Sequence, residues 1–120
     1  MATILVAEDD VQILRVLAMW LSRNGHEVIE AHDGLEASEA LAERPVDLIV
    51  SDVNMPNMDG LALTAKVRAD TRVKDTPVVL VTSLDAPHDH ARALEAGADA
   101  YIVKSAFSQE GLLETVSRLI

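Results

Sequence analysis

The chain has no cysteine, which excludes disulfides and thiolate chemistry and is compatible with a reducing compartment. Trp, Tyr and Phe occur once each, so the core has to be built from Leu, Val, Ile and Ala. Basic residues are scarce: ten Lys and Arg stand against twenty Asp and Glu, for a formal net charge of −10. That balance argues against a surface that binds nucleic acid directly, because neutralising phosphates takes Lys and Arg. It suits a protein that binds cations or basic partners. No apolar run approaches the roughly 20 residues of a membrane span, so no membrane is expected as a partner. The opening MATILVAEDD has no basic leader and turns acidic by residue 8, unlike a signal peptide.

What is present is a chain of 120 residues, 49% hydrophobic, which is too apolar for a disordered tail and right for one domain spanning 1–120. Apolar runs of strand length alternate with segments of helical period. Strands are expected at Thr3–Ala7, Glu27–Ala31, Val46–Val50, Pro77–Ser83 and Ala100–Lys104. Between them, Ile13, Leu14, Leu17 and Leu21 mark a helix that Gly25 stops, and Asp33 caps a second that Pro45 ends. A third helix follows Gly60, a fourth carries Ala91 and Leu94 up to Gly97, and Ser108 caps a fifth bearing Leu112, Leu113, Val116 and Leu119. Strict alternation with apolar strands implies a doubly wound α/β domain, a parallel sheet covered on both faces. The C-terminal ends of such strands share one edge, and ligands bind there.

The residues just past each strand are therefore the informative ones. Glu8, Asp9 and Asp10 follow the first, Asp52 the third, Thr82 and Ser83 end the fourth, and Lys104 ends the fifth. Each has an ordinary structural explanation when taken singly. An Asp after a strand is commonly a cap or an Asx-turn, and Asp10 reads best as the cap of the first helix. Thr82 alone suits a turn, and Lys104 alone suits solvent. Their joint delivery to one crevice is what points to chemistry. Clustered carboxylates repel, and a divalent cation with oxygen preference, Mg²⁺ (or Mn²⁺), removes the conflict. A carboxylate can also act as a nucleophile and form an acyl phosphate, with Lys and hydroxyl groups stabilising the incoming charge. Asp52 is best placed for the nucleophile, and Lys104 and Thr82 for the stabilisers.

The segments VAEDD (Val6–Asp10), SDVNMPNMDG (Ser51–Gly60), VTS (Val81–Ser83) and YIVK (Tyr101–Lys104) together resemble the receiver (CheY-like) domain of two-component response regulators, over essentially the whole chain. The resemblance implies a five-stranded parallel sheet in the flavodoxin-like order 2-1-3-4-5 with five helices. It implies that Asp52 accepts a phosphoryl group from a sensor histidine kinase or phosphotransfer protein, that Asp9 and Asp52 bind Mg²⁺ directly, Glu8 through water and Asn54 by its backbone carbonyl. Thr82 and Tyr101 would be the switch pair, and Lys104 would pair with a phosphoryl oxygen. The resemblance thus implies a cytoplasmic signalling switch, a monomer or a weak phosphorylation-dependent dimer, that catalyses its own phosphorylation and dephosphorylation without being a conventional enzyme. The 120 residues hold no output domain, so either its altered surface, on helix four, strand five and helix five, would be read by a downstream protein partner, or the chain would be a fragment of a larger protein.

The fit has departures. The family usually has Lys-Pro after the fifth strand with a cis bond, whereas here Lys104-Ser105 is followed by Ala106 and Phe107, which lengthens the loop by one residue. A cis bond without proline costs roughly 2.5–4 kcal/mol, so trans is expected. The pattern Lys-Ser-x-Phe before LLETV is reminiscent of receivers attached to chemotaxis-type kinases. Leu84, two residues after Thr82, has no donor or acceptor with which to assist an attacking water. His88 and His90 read as exposed positions in the first turn of helix four rather than as metal ligands, Trp20 as a core-edge residue, and Met55 and Met58 as loop packing. Two rival functions are weaker. A phosphorylation-independent interaction module would be marked by loss of Asp9, Asp52, Thr82 or Lys104, all of which are present. A haloacid-dehalogenase-type phosphatase needs Asp-x-Asp after the first strand, which EDD does not supply.

Overall fold

The structure is a computed structural model that describes residues 2–83, 87–106 and 108–120. Five strands, β1 (Thr3–Ala7), β2 (Glu27–Ala31), β3 (Leu48–Asp52), β4 (Val78–Thr82) and β5 (Ala100–Val103), alternate with helices α1 (Val11–Arg23), α2 (Gly34–Glu43), α3 (Gly60–Ala69), α4 (Pro87–Ala96) and α5 (Gln109–Leu119). The strands form one sheet, all parallel, in the order β2-β1-β3-β4-β5. This is the expected doubly wound arrangement, with β1, β3 and β4 buried on both faces.

Side chains of successive strand residues point to opposite faces, and the two cores follow that alternation. Leu5, Ile49, Val78 and Leu80 meet Ala37 and Leu41 of α2, Leu63 and Val67 of α3 and Ala93 of α4. Ile4, Val6, Leu48, Val50, Val79 and Val81 meet Leu14, Leu17 and Leu21 of α1 with Leu112 and Val116 of α5. Trp20 packs, partly buried, at the edge of this second core, as expected. The caps also fall where the sequence puts them. Asp10, Asp33 and Ser108 accept backbone N–H groups in the first turns of α1, α2 and α5, and Asp59 does the same for α3.

The limits of three strands differ from the expectation. The third strand starts at Leu48 and runs on through Ser51 and Asp52, because Asp52 still pairs with Val81 in the ladder. Asp47, expected inside it, instead accepts the Thr3 N–H on its side chain at 2.8 Å. The fourth strand is Val78–Thr82, leaving out Pro77 and Ser83. The fifth ends at Val103, and Lys104 opens a short 3-10 turn, Lys104–Ala106. The Lys104–Ser105 bond is trans, as expected. The readings made for Leu84 and Phe107 lie outside the described residues.

Candidate functional site

The site is built at the C-terminal edge of β1, β3 and β4 and at the start of the turn after β5. β1 delivers Glu8, which is 1% exposed, with its N–H donating to the Ala31 carbonyl at 3.0 Å. Asp9, the next residue, is exposed. β3 ends on Asp52, which is 6% exposed. Carboxylate oxygens of Glu8, Asp9 and Asp52 all lie within 4.8 Å of one another, the only such group of three or more potential ligands among the described residues. Lys104 reaches in from the turn after β5 and donates from Nζ to Glu8 Oε1 at 3.1 Å and to Asp52 Oδ2 at 3.3 Å.

The electrostatics show how tightly this cluster is balanced. Burial pushes the Glu8 carboxyl up to about 7, the nearby Asp52 charge adds to the rise, and Lys104 offsets part of it. Burial works against the Lys104 ammonium, but Asp52 and Glu8 outweigh it and hold Lys104 above the usual lysine range. One ammonium against three carboxylates leaves a deficit of positive charge. Oxygen donors at short range with such a deficit suit Mg²⁺, so the residues present fit that ion.

The backbone of Asp52 is fixed by the start of α3. Gly60 N–H donates to the Val53 carbonyl at 2.8 Å, Thr64 Oγ1 donates to the Gly60 carbonyl at 2.7 Å, and Ser51 Oγ donates to the Asp52 carbonyl at 2.9 Å. A Cβ on Gly60 would lie 2.1 Å from that Asp52 oxygen, so only glycine lets the helix approach so closely.

The structure brings together Glu8, Asp9, Asp52 and Lys104. Asp10 stands apart, turned to the Gln12 and Ile13 N–H groups as the cap it was expected to be. Thr82 is fully buried at the end of β4, the strand beside β3. Asn54 is exposed in the loop after Asp52. Tyr101 sits on the edge strand β5, partly buried against the α2–α3–α4 core. His88 and His90 are exposed, as expected, but the His90 ring also lies 4.3 Å from the Tyr101 ring, centroid to centroid. No sequence pattern announced that contact. A second arrangement with no local signal is the Arg68 guanidinium. It donates to the carbonyls of Gly97 (3.0 Å), Lys74 (2.9 Å) and Thr76 (2.6 Å) and to Asp99 Oδ2 (2.8 Å), tying α3 to the turns before β4 and β5.

Residues 4–117 match the family described as the response regulator receiver domain. The chain belongs to that family. It is 42% identical over 103 residues to the chemotaxis protein CheY1 of Helicobacter pylori, covering 84% of this chain and 83% of that protein. It is also 42% identical over 95 residues to a gliding motility regulatory protein of Myxococcus xanthus, covering 79% of this chain and 12% of that protein. Thus the chain spans most of one relative and a small part of another. Among solved structures, the chemotaxis response regulator CheY4 of Vibrio cholerae superposes with a TM-score of 0.93 at 34% identity, over 100% of this chain and 99% of that one. The receiver domain of the sensor histidine kinase PA1611 from Pseudomonas aeruginosa, solved with a magnesium ion coordinated in its active-site cleft, superposes at 0.90 with 26% identity, over 98% and 96% of the two chains. This chain is therefore a receiver domain of two-component signalling, and receiver domains bind Mg²⁺ at an acidic cluster. They interact with histidine kinases or phosphotransfer proteins and with downstream targets. Among the described residues no helix is long and apolar enough to cross a membrane.

Proposed function

We propose that Asp52 is the phosphoacceptor of this receiver and that residues 1–120 work as a single switch domain. The observation that carries the reading is the buried Asp52 carboxylate, at the end of β3, sharing the Lys104 ammonium with Glu8 beside Asp9. An Asp52 oxygen attacks the phosphorus of a phosphohistidine on a sensor kinase or phosphotransfer protein. The new O–P bond forms as the P–N bond breaks, and the electron pair stays on the departing imidazole nitrogen. Attack by water on the acyl phosphate later returns Asp52 and inorganic phosphate. Mg²⁺ (or Mn²⁺), held by Asp9, Asp52 and the Asn54 carbonyl and through water by Glu8, would supply positive charge against the phosphoryl oxygens.

The chain's own groups do the rest. Lys104 already sits 3.3 Å from Asp52, so its ammonium is in place to pair with a phosphoryl oxygen without a long side-chain search. Thr82, at the end of the neighbouring strand, offers a hydroxyl and links the site to the segment leading into α4. Tyr101 follows Thr82, and the surface of α4, β5 and α5 presents the result to a protein partner. The protein would act in the cytoplasm as a monomer or as a weak dimer formed on phosphorylation.

The experiment is labelling with acetyl phosphate or a phosphorylated kinase, read by mass spectrometry. The unmodified protein is expected to carry one phosphate, on Asp52. Asp52→Asn keeps the size and most hydrogen bonds but removes the nucleophile, so it is expected to fold and accept none. Phosphate on another residue of the unmodified protein, or full labelling of Asp52→Asn, would overturn the assignment.

A further inference from the structure

The loop between Asp52 and α3 is gripped at its far end by the turn between β2 and α2. Asn57 has φ of 68°, the only non-glycine residue at positive φ among those described. Asn and Asp tolerate that conformation better than other side chains. Around it, the Met58 N–H donates to the Pro56 carbonyl at 2.7 Å, which closes a tight turn. The turn aims the Asn57 amide at Asp33, 24 residues earlier, and Nδ2 donates to Asp33 Oδ2 at 2.7 Å. The other Asp33 oxygen, Oδ1, caps α2 by accepting the Glu36 N–H at 2.7 Å. One carboxylate thus holds a helix end and a loop at once. The backbone repeats the link, since Gly34 N–H donates to the Met58 carbonyl at 3.0 Å. A Cβ at Gly34 would lie 2.2 Å from that oxygen. The hydrogen bonds from Glu36, first, and from Asn57 hold the Asp33 carboxyl below the usual range.

The inner end of the same loop is fixed by the Gly60–Val53 hydrogen bond. Asn54, Met55 and Pro56 span the interval between the two anchors. We infer that Asp33 and Asn57 form a clamp that pre-orders the metal-binding loop, making both of them positioning residues for Mg²⁺. The inference rests on the proposal that Asp9, Asp52 and the Asn54 carbonyl hold the ion. A loop released from the clamp has to be ordered when the ion binds, and the ordering cost appears as weaker affinity. It does not appear in the maximal phosphorylation rate, because a saturating ion orders the loop in either case.

The test is the Mg²⁺ dissociation constant from isothermal titration, with the Mg²⁺ dependence of labelling by acetyl phosphate alongside. Asn57→Gly keeps the positive φ and deletes the amide. Asp33→Ser keeps a capping oxygen and deletes the reach to Asn57. Each is expected to weaken Mg²⁺ binding roughly three- to tenfold, in line with the net worth of one ordinary hydrogen bond. The half-saturating Mg²⁺ concentration for labelling should rise by the same factor, with an unchanged maximal rate. The exchange Asp33→Asn with Asn57→Asp, which keeps the cap, the positive φ and the pair, should restore wild-type affinity. A purely structural role would lower stability in the single variants and leave the dissociation constant alone. Wild-type affinity in either single variant, or an exchanged pair as weak as the single variants, would overturn the clamp. Asp9→Asn is run in parallel: unchanged affinity there would overturn the metal site and the clamp with it, whereas a weakened Asp9→Asn beside an unchanged Asn57→Gly overturns the clamp alone.

Discussion

Glu8 is the residue at which burial and charge conflict most. Its carboxyl is ordinary in the unfolded chain, at 4.5, and raised to about 7 in the fold, first by burial and then by Asp52. Between these values the folded state keeps a proton that the unfolded state has released, so stability falls as pH rises through the window. The loss is complete above about pH 7 and on the order of 3 kcal/mol, since each pKa unit corresponds to about 1.4 kcal/mol. The metal-free protein is therefore expected to lose stability between pH 5 and 7.5, and Mg²⁺ to restore it at the upper end. Glu8→Gln stays neutral throughout and should flatten the curve, while self-repulsion among the remaining charges acts on both proteins alike. Urea titrations across that range give the comparison, and parallel curves for the two proteins would remove Glu8 from the account. Lys104 is the counterweight. Lys104→Ala removes the ammonium that Glu8 and Asp52 share, so the metal-free protein should lose about 1–3 kcal/mol, the cost of leaving buried acceptors without their donor, while Mg²⁺ binds more tightly, because the competing ammonium is gone. Weaker Mg²⁺ binding in that variant would show that Lys104 organises the carboxylates rather than competing for them.

Among the elements, α3 is the one whose packing sets the position of Asp52. Its first residue meets the Asp52 carbonyl with no room for a methyl group, so Gly60→Ala has to push the helix from the strand end. Overpacking of this kind costs about 1–3 kcal/mol. The variant should also accept phosphate more slowly, since the strand end that moves carries the nucleophile. A stability within a few tenths of a kcal/mol of wild type, by denaturant titration, would count against the close approach. The sequence was legible where the signal is local. Strand period, helical stripes and the caps at Asp10, Asp33 and Ser108 lie within a few residues of what they organise. Glu8, Asp9, Asp52 and Lys104 were legible as a group because parallel strands must bring their C-terminal ends to one edge. The end of β3 was not, since Ser51 and Asp52 are polar yet still paired with β4, and their polarity reads as a loop. Nor were the Asn57–Asp33 and Arg68–Asp99 pairs, which join residues 24 and 31 positions apart. Nothing in either segment alone distinguishes such a side chain from one facing solvent.

Across the whole molecule, apolar burial is unevenly shared among the helices. α1 buries Leu14, Leu17, Ala18 and Leu21, and α3 buries Leu63 and Val67 with Gly60 and Thr64. α4 buries only Ala93, and its Leu94 is 76% exposed. At about 25 cal/mol per Å² of apolar surface, one alanine anchors a helix far less firmly than three leucines do. The C-terminal end of α4 runs into Gly97, whose carbonyl is held by Arg68, and Asp99 beyond it accepts both Arg68 and the Val78 N–H at 2.8 Å. The N-terminal end is the one that follows Thr82 and the proposed phosphoryl site. A helix with so little burial is expected to open locally, at a free energy well below global unfolding. Native-state hydrogen exchange should therefore show α4 amides exchanging faster than those of α1, with protection rising towards Ala96. Arg68→Ala should remove that gradient by freeing the held end. Phosphorylation of Asp52 should alter protection in α4 before any change in α1 or α2, because α4 has the least burial to overcome. Equal protection in α4 and α1, or a gradient unaffected by Arg68→Ala, would show that α4 is held by contacts other than these.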